Sequence, residues 1–586
     1  MKSKIIIIAC FVCVLFSSCD GDFLYRPPVT SITEESFWKT TQDLETYINQ
    51  YYTLFPGYGG YDIGAYGRDV NSDNLIPQSY NTRLAGLSIT PTSGSSLSYG
   101  NIRGINYFLE KAEALQVSET QVAEKTALLG EGYYFRAHVY WDLLQNYGGV
   151  PWIDKVLTTT SPELYAPRET RNVIADHILA DLDKAIDYLR PANTAVPFRL
   201  NKEIALAFKS RVALFEGTWE KYHKGSPFEA PVDNSRKYLE QAAAAAKDII
   251  DGKYGTGYAI YSTGNKDMDY FTLFNQTDLQ SNNEIIFWKK YSTALQTGHN
   301  GQRHCGIIAW GIGVSKSMVD SYLCTNGRPI SNSDGYYKGD DLPFDIYTNR
   351  DPRLKQLVFV KDDPITIESN DTIAKFTVGG IHLSGETFCP TGYQIKKGSN
   401  PDNNNRVQRT DFSSETATIL FRYGEVLLNY AEAKAELEEL TQNDIDMSIN
   451  KIRDRVDMAH LNMANIITDP DWDFPQLSPI INEIRRERRN ELACEGFRFN
   501  DLIRWRAHHL ITDQVPLGIK FNQDDYPSLV VGQSIYLTPE GFVIPYATIL
   551  PNGWGFKPER DYLSPLTLQE LGLNENLVQN PGWDSP

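Results

Sequence analysis

The chain has 586 residues, with 56 Lys and Arg against 74 Asp and Glu for a net charge of −18, and is 41% apolar and 22% charged. This balance excludes collagenous, disordered and small disulfide-stapled classes, and the acidic excess leaves no general field for nucleic-acid phosphates, so neutral or cationic partners are expected. The 34 Tyr outnumber the 26 Phe, a surplus that predicts rings whose hydroxyls sit at wet surfaces.

At the N-terminus Lys2 and Lys4 precede an apolar run over 5–16, followed by Ser17, Ser18 and Cys19, the order of a secretory signal. The run is shorter than the ~20 residues a membrane-spanning helix needs. Two serines before a cysteine resemble a bacterial lipobox, with Phe16 where Leu is usual. Residues 1–18 are therefore read as a signal peptide, Cys19 as the lipidated residue and 19–31 as a tether; the alternative is cleavage that leaves Cys19 unmodified. Acyl chains contribute about 0.8 kcal/mol per buried methylene, enough in combination to hold a folded domain on a membrane. Of seven cysteines, Cys10 and Cys13 leave with the signal, and Cys305, Cys324, Cys389 and Cys494 are too few for a disulfide framework.

Helical periodicity dominates 32–252. Ser31 or Thr33 is placed to cap a helix with Phe37, Leu44, Ile48 and Tyr51 on one face, stopped by Pro56 and Gly57. The pattern recurs over 121–147, 172–189, 201–217 and 235–252, closed by glycine or proline. From 254 to 413, Gly, Asn, Asp and Ser interrupt short runs such as 284–288 and 356–360, which predicts loops with a few strands. Helices are expected again over 416–440, 444–456 and 480–510, and 515–586 reads as a Pro/Gly-rich end. Helix pairs joined by Gly/Pro turns indicate a mainly α fold of stacked tetratricopeptide-like hairpins with an irregular, partly β ligand region, which makes 32–586 one domain.

Catalytic signatures are absent at the level of motif: there is no H-E-x-x-H, no phosphate loop and no dinucleotide fingerprint, and Gly313-Val-Ser-Lys-Ser317 lacks the closing glycine of a nucleophile elbow. Adjacent His508 and His509 point to different sides of a helix, which disfavours a metal pair. Asp334, Asp340, Asp341 and Asp345 could offer oxygen ligands to calcium but lack EF-hand spacing, so they read as a solvated acidic loop. No cofactor or metal is expected. Arg485, Arg486, Arg488 and Arg489 alternate with Glu483, Glu487, Glu491 and Glu495, so the helix is expected to carry its own counter-charges.

Aromatic residues are the better candidates for function. Tyr58, Tyr61 and Tyr66 lie in a Gly-rich segment that runs into Arg68, Asp69, Asp73 and Asn74, and Trp288, Tyr291 and Trp310 lie in the irregular middle. A sugar presents C–H bonds to a ring face and hydroxyls to Asp, Asn and Arg. The predicted site is Trp288 and Trp310 as stacking rings with Tyr291 between them in sequence, Tyr66 as a second wall, and Arg68, Asp73 and Asn74 as hydroxyl partners; the bland alternative is that each ring packs beneath its own loop.

Several stretches in order resemble the SusD/RagB-like outer-membrane lipoproteins of Bacteroidetes. These are Cys19-Asp-Gly-Asp-Phe-Leu with Phe37-Trp38; Gly132-Tyr-Tyr-Phe-Arg136-Ala137 through Tyr147-Gly-Gly-Val-Pro151; Glu487-Arg-Arg-Asn-Glu491-Leu-Ala-Cys-Glu495-Gly496-Phe-Arg498 through Asp501-Leu-Ile-Arg504-Trp505; and Tyr562-Leu-Ser-Pro565 through Asn580-Pro-Gly-Trp583, with Thr567 and Glu575 where prolines are usual. The resemblance implies a bundle of four tetratricopeptide-like helix pairs, and a non-enzymatic lipoprotein on the cell surface. Such a protein caps a SusC-like TonB-dependent barrel in the outer membrane and hands it captured oligo- or polysaccharide, here of a neutral kind. It also implies that Glu491, Arg498 and Asp501 serve the fold, and that ligand-stacking rings come from the regions 58–74 and 288–310. The rivals are a surface glycoside hydrolase and a peptide-capturing or scaffold lipoprotein.

Overall fold

In the computed structural model the described residues are 37–59, 63–306, 308–341, 345–402, 407 and 409–583. Cys19, the expected signal and tether, and Tyr61 lie outside them. Nine helices carry the scaffold: α1 Thr41–Ile48, α2 Gly100–Ala114, α3 Val122–Tyr147, α4 Arg171–Tyr188, α5 Lys202–Tyr222, α6 Ser235–Ile250, α7 Tyr423–Glu436, α8 Pro479–Glu491 and α9 Arg498–Arg504. α1 and α2 pack on α3, and from there each helix packs on the next as far as α8, a mainly α, tetratricopeptide-like array. The α4 stripe Ile174, Ile178, Leu182 and Ile186 is buried as its spacing requires, each side chain contributing about 1.5–3 kcal/mol of transfer free energy. Gly132 belongs to this packing: a Cβ there would stand 2.7 Å from Leu109 and 2.9 Å from Phe108 on α2.

Several expected boundaries move. The N-cap of α1 is Thr40, in a capping box with Asp43; Ser31 and Thr33 lie outside the described residues. α2 has no counterpart among the expected helices, because its first turn opens on glycine and lacks a side-chain cap. The stretch 416–440 begins as a strand, Thr418–Arg422, before α7. The expected helix 444–456 is two short helices, Gln442–Met447 and Ile449–Asp454, hinged at Ser448. The stretch 480–510 breaks between α8 and α9, where Cys494 and Gly496 take φ of 62° and 85°. A Cβ at Gly496 would meet the Arg68 side chain at 3.0 Å, so glycine permits both the turn and the contact. The run 356–360, read as a strand, is the end of a short helix, Pro352–Leu357, followed by one bridge between Val358 and Ile395.

Three two-stranded antiparallel ladders order the irregular part. β1 Leu75–Pro77 pairs with β3 Ile312–Val314, β2 Ile285–Lys289 with β6 Thr418–Arg422, and β4 Pro364–Glu368 with β5 Asp371–Lys375. A second apolar cluster, with Leu75, Tyr270, Val314, Tyr322 and Leu354, includes residues of the first two ladders.

A buried charge lattice joins this part to the helices. The Glu491 carboxylate, fully buried, receives Arg455 at 2.5 Å, Arg422 at 2.8 Å and Arg353 at 3.0 Å. Around it Glu284 pairs with Arg422 and Arg455, Glu495 with Arg422 and Lys397, Glu487 with Arg353 and Arg453, and Asp351 with Arg353. Five cations thus meet five anions. Burial opposes ionisation of Glu491, yet the three guanidinium groups outweigh it and hold its pKa far below the usual carboxylate range. The expectation that α8 neutralises itself holds only for Arg486 with Glu483. Arg485 reaches Glu436, Arg488 reaches Asp501, and Arg489 reaches Asp73, because α8 is covered on most sides and its charges meet other chain segments before water.

Removing one member of a buried pair costs about 3–5 kcal/mol, because the partner is left charged and dry. Glu491→Gln is therefore expected to lower unfolding free energy by that amount in urea denaturation. A change below about 1 kcal/mol would show that the lattice does not carry the junction.

Candidate ligand-binding surface

The segment after α1 enters a 3-10 helix, Gly64–Asn71, and then β1. Asp73 receives Arg498 at 2.7 and 2.8 Å and Arg489 at 3.1 Å. Burial disfavours its charge, but the two arginines prevail and bring its pKa down to about 2. Asn74 is buried; its amide donates to Asp69 and its Oδ1 accepts from Arg489. Asp69, dry and without a cation on it, has its pKa pushed up by burial to about 6. Tyr66 is buried, with its hydroxyl donating to the Phe274 carbonyl at 2.7 Å. These side chains are committed to the fold: Asp73 and Asn74 are not presented as hydroxyl partners, and Tyr66 does not stand as an exposed wall. Arg68 and Tyr66 line a cavity of about 190 Å³ between α5, β6 and α9, where Arg211 is paired with Glu425 and Arg504 with Glu432 and Asp501.

The rings of the middle region divide. Trp288 on β2 packs with Leu279 and Ala417 and is crossed edge-on by Phe198 at 5.2 Å. Tyr291 is buried, its hydroxyl accepting from the Tyr58 amide at 2.9 Å beside the stacked Tyr58–His299 pair. Neither is a free stacking surface: β2 is covered on both faces, with Ile286 and Phe287 in the main core and Trp288 in a small cluster of its own, and the Tyr58 turn covers Tyr291. Trp310 differs. It is half-buried and sits at φ 54°, a left-handed conformation that a bulky residue adopts only when its surroundings impose it.

Those surroundings are explicit. The Trp310 amide donates to the Glu386 carbonyl at 2.7 Å, and Gln78 donates to the Gly311 carbonyl at 2.6 Å, extending the β1–β3 ladder by one step. His304, buried, stacks on the indole at 4.2 Å and 24°. Gln78, Ser79 and Glu386 are exposed, and half-buried Tyr80 stands edge-on to Tyr546, whose hydroxyl donates to the Pro77 carbonyl. The indole is thus backed by His304, and the backbone of its turn is tied to two exposed residues, Gln78 and Glu386. The same loop that supplies Glu386 lines, at its base, a cavity of about 340 Å³ walled by Tyr347, Phe359, Phe376, Tyr393 and Tyr526, with Asn522 and Gln523 at the rim. Sequence reasoning missed these residues; the one signal was the aromatic–polar run Phe521-Asn-Gln-Asp-Asp-Tyr526 in a stretch read as Pro/Gly-rich end. Asp340 and Asp341 of the acidic loop reach Lys316 and Lys520.

Residues 274–583 match the model of the SusD family. The chain belongs to the SusD family. A second model, described as starch-binding associating with outer membrane, matches residues 28–214. A SusD-like protein of Formosa agariphila is 24% identical over 505 residues, covering 84% of this chain and 88% of that one. A SusD-like protein of Bacteroides ovatus is 23% identical over 520 residues, covering 86% and 83%. Among solved structures, a SusD-like carbohydrate binding protein from Bacteroides fragilis superposes with a TM-score of 0.69 at 21% identity, covering 93% of this chain and all of that one. A laminarin binding SusD-like protein superposes at 0.54 and 17% identity, covering 92% and 98%. In this SusD-family chain the motif 487–505 supplies Glu487, Glu491 and Glu495 to the charge lattice and both arginines of the Arg489–Asp73–Arg498 clamp, and the Ser315 amide donates to the Asn74 carbonyl at 2.9 Å to set β3 against β1. Among the described residues no helix is long and apolar enough to cross a membrane.

A carboxylate whose pKa is lowered on folding stabilises fully above its unfolded value near 3.9, and that contribution fades as pH falls toward the folded value. For Asp73, with a folded value of about 2, the contribution amounts to about 2–3 kcal/mol. Asp73→Asn should therefore destabilise at pH 7, and its gap from the parent protein should narrow steadily between pH 4 and pH 2 in urea titrations; a pH-independent gap would contradict the clamp.

Proposed function

We propose that this SusD-family protein is a non-catalytic, lipid-anchored receptor of the outer cell surface that captures neutral oligo- or polysaccharide and passes it to a SusC-like TonB-dependent transporter. The observation that carries the reading is Trp310: a half-buried indole, held on a left-handed turn, backed by His304, with exposed Gln78 and Glu386 tied to the same turn through backbone hydrogen bonds. Sugar C–H faces stack on the indole while the amide and carboxylate take hydroxyls, and the neighbouring aromatic cavity offers room for a further residue of the chain. Family membership, and the printed carbohydrate-binding descriptions of its structural relatives, support the ligand class. The lipid anchor rests on Cys19 and the signal-like segment before it, and the −18 charge favours neutral over polyanionic glycans.

Calorimetry against a panel of neutral polysaccharides and peptides tests the site. Trp310→Asn keeps a residue tolerant of the left-handed turn but removes the ring. Its affinity is expected to fall about 10- to 100-fold, the equivalent of burying one large apolar side chain. Normal binding by that variant would remove Trp310 from the site, and reducing ends released by the parent protein would favour the hydrolase.

Cys19→Ala should move the protein from the membrane to the soluble fraction on cell fractionation, whereas continued membrane association would contradict the anchor.

A further inference from the structure

The aromatic cavity of about 340 Å³ lies between the apolar cluster that holds Tyr347 and Tyr393 and a smaller one built on Ile381, Tyr526, Ile535 and Val543. Three of its wall residues carry phenols that the fold does not use. Tyr347, Tyr393 and Tyr526 are 6%, 3% and 2% exposed, and none of their hydroxyls has a hydrogen-bond partner among the described residues. By contrast, buried Tyr66, Tyr238, Tyr270 and Tyr322 each donate to a backbone carbonyl. Burial raises the pKa of the three cavity phenols, and Tyr347 adds to the shift of both Tyr393 and Tyr526, so their hydroxyls stand near one another. A buried hydroxyl left unpaired is costly, and three in one cavity call for an occupant with several hydrogen-bonding groups.

The rest of the wall narrows the choice. Asp340 lies 3.4 Å from Lys316 and Asp341 2.5 Å from Lys520, and the remaining charged wall residues, Lys361 and Asp525, are of opposite sign, so the cavity favours an uncharged occupant. Gln523 donates to the Tyr526 and Leu529 carbonyls and Asn522 to Asp525, which commits these amides to the turn that carries Tyr526. Phe359 and Phe376, stacked at 5.1 Å and 14°, add ring carbon to the wall. Carbon faces beside convergent hydroxyls suit a saturated ring that carries both C–H bonds and hydroxyls, whereas a plain arene would leave the phenols unpaired.

We infer that this cavity binds a single neutral sugar residue, with the hydroxyls of Tyr347, Tyr393 and Tyr526 as its specificity-determining groups. The inference rests on the glycan reading of the Trp310 surface and deepens it: the indole platform holds the polymer, and the cavity, at the small end of the range for ligand sites, reads one residue of it.

Small probes separate the two sites. Saturation-transfer NMR and calorimetry with the methyl glycosides of glucose, galactose, mannose and xylose should find at least one that binds. Tyr347→Phe, Tyr393→Phe and Tyr526→Phe, each removing only a hydroxyl, should weaken that glycoside about 5-fold apiece, while Tyr165→Phe, on the helical side and 59% exposed, should not. Because the three hydroxyls have no partner in the fold, the same variants should keep the parent's midpoint in urea; a lowered midpoint would assign the hydroxyls to the fold and overturn the inference. Polysaccharide binding by the parent protein with no methyl glycoside bound, or with unchanged glycoside affinity in all three variants, overturns the cavity site and leaves the Trp310 platform standing. Tyrosine-dependent glycoside binding without any polysaccharide binding would instead uphold the cavity and remove the platform.

Discussion

The junction between the irregular part of this protein and its helices turns on one buried carboxylate. Glu491 ends α8 at the point where three arginines from separate segments, Arg353, Arg422 and Arg455, converge on it. Each guanidinium would be costly to bury without a counter-charge, and the carboxylate would be equally costly without them. The arrangement therefore tolerates one topology, in which the segment carrying Arg353, the β6–α7 junction carrying Arg422 and the turn carrying Arg455 meet at the end of α8.

From there a chain of contacts leads to the candidate site. The turn after α8 places Arg498 beside Arg489, and both close on Asp73. Asp73 and Asn74 hold Ser315 through their carbonyls, which sets β3 against β1. The ladder then ends at Gln78 and Gly311, next to Trp310. Asp73 and Asn74 thus position the strand that follows the Trp310 turn and are themselves committed to the fold.

The tyrosine surplus has a related explanation, and it differs from the wet-surface reading. Tyr270 and Tyr322 are buried and donate to the Glu491 and Asn490 carbonyls, and Tyr238 donates to the Asn172 carbonyl. Burial raises the pKa of all three phenols. Tyr270 and Tyr322 clamp carbonyls that the end of α8 leaves unpaired, a need that grows where long irregular segments cross a helical scaffold, and Tyr238 ties α6 to the first turn of α4.

The periodic helices were legible from sequence because a buried stripe imposes a local repeat: 172–189 and 235–252 appear nearly as expected, and the ordered motifs from 132–151 to 562–583 identified the family. Trp310 is one of several rings in the loop-rich middle, and nothing local to it in the sequence sets it apart from Trp288 or Tyr291. What the sequence could not decide was which of many similar rings and acids face solvent. The orientations of Tyr291, Tyr66 and Asp73 follow from partners more than 100 residues away, Thr418, Phe274 and Arg498. Local pattern determined the scaffold because helix burial is a property of neighbouring residues; only tertiary structure decided which rings and acids are covered, because exposure is a property of whatever else arrives in space.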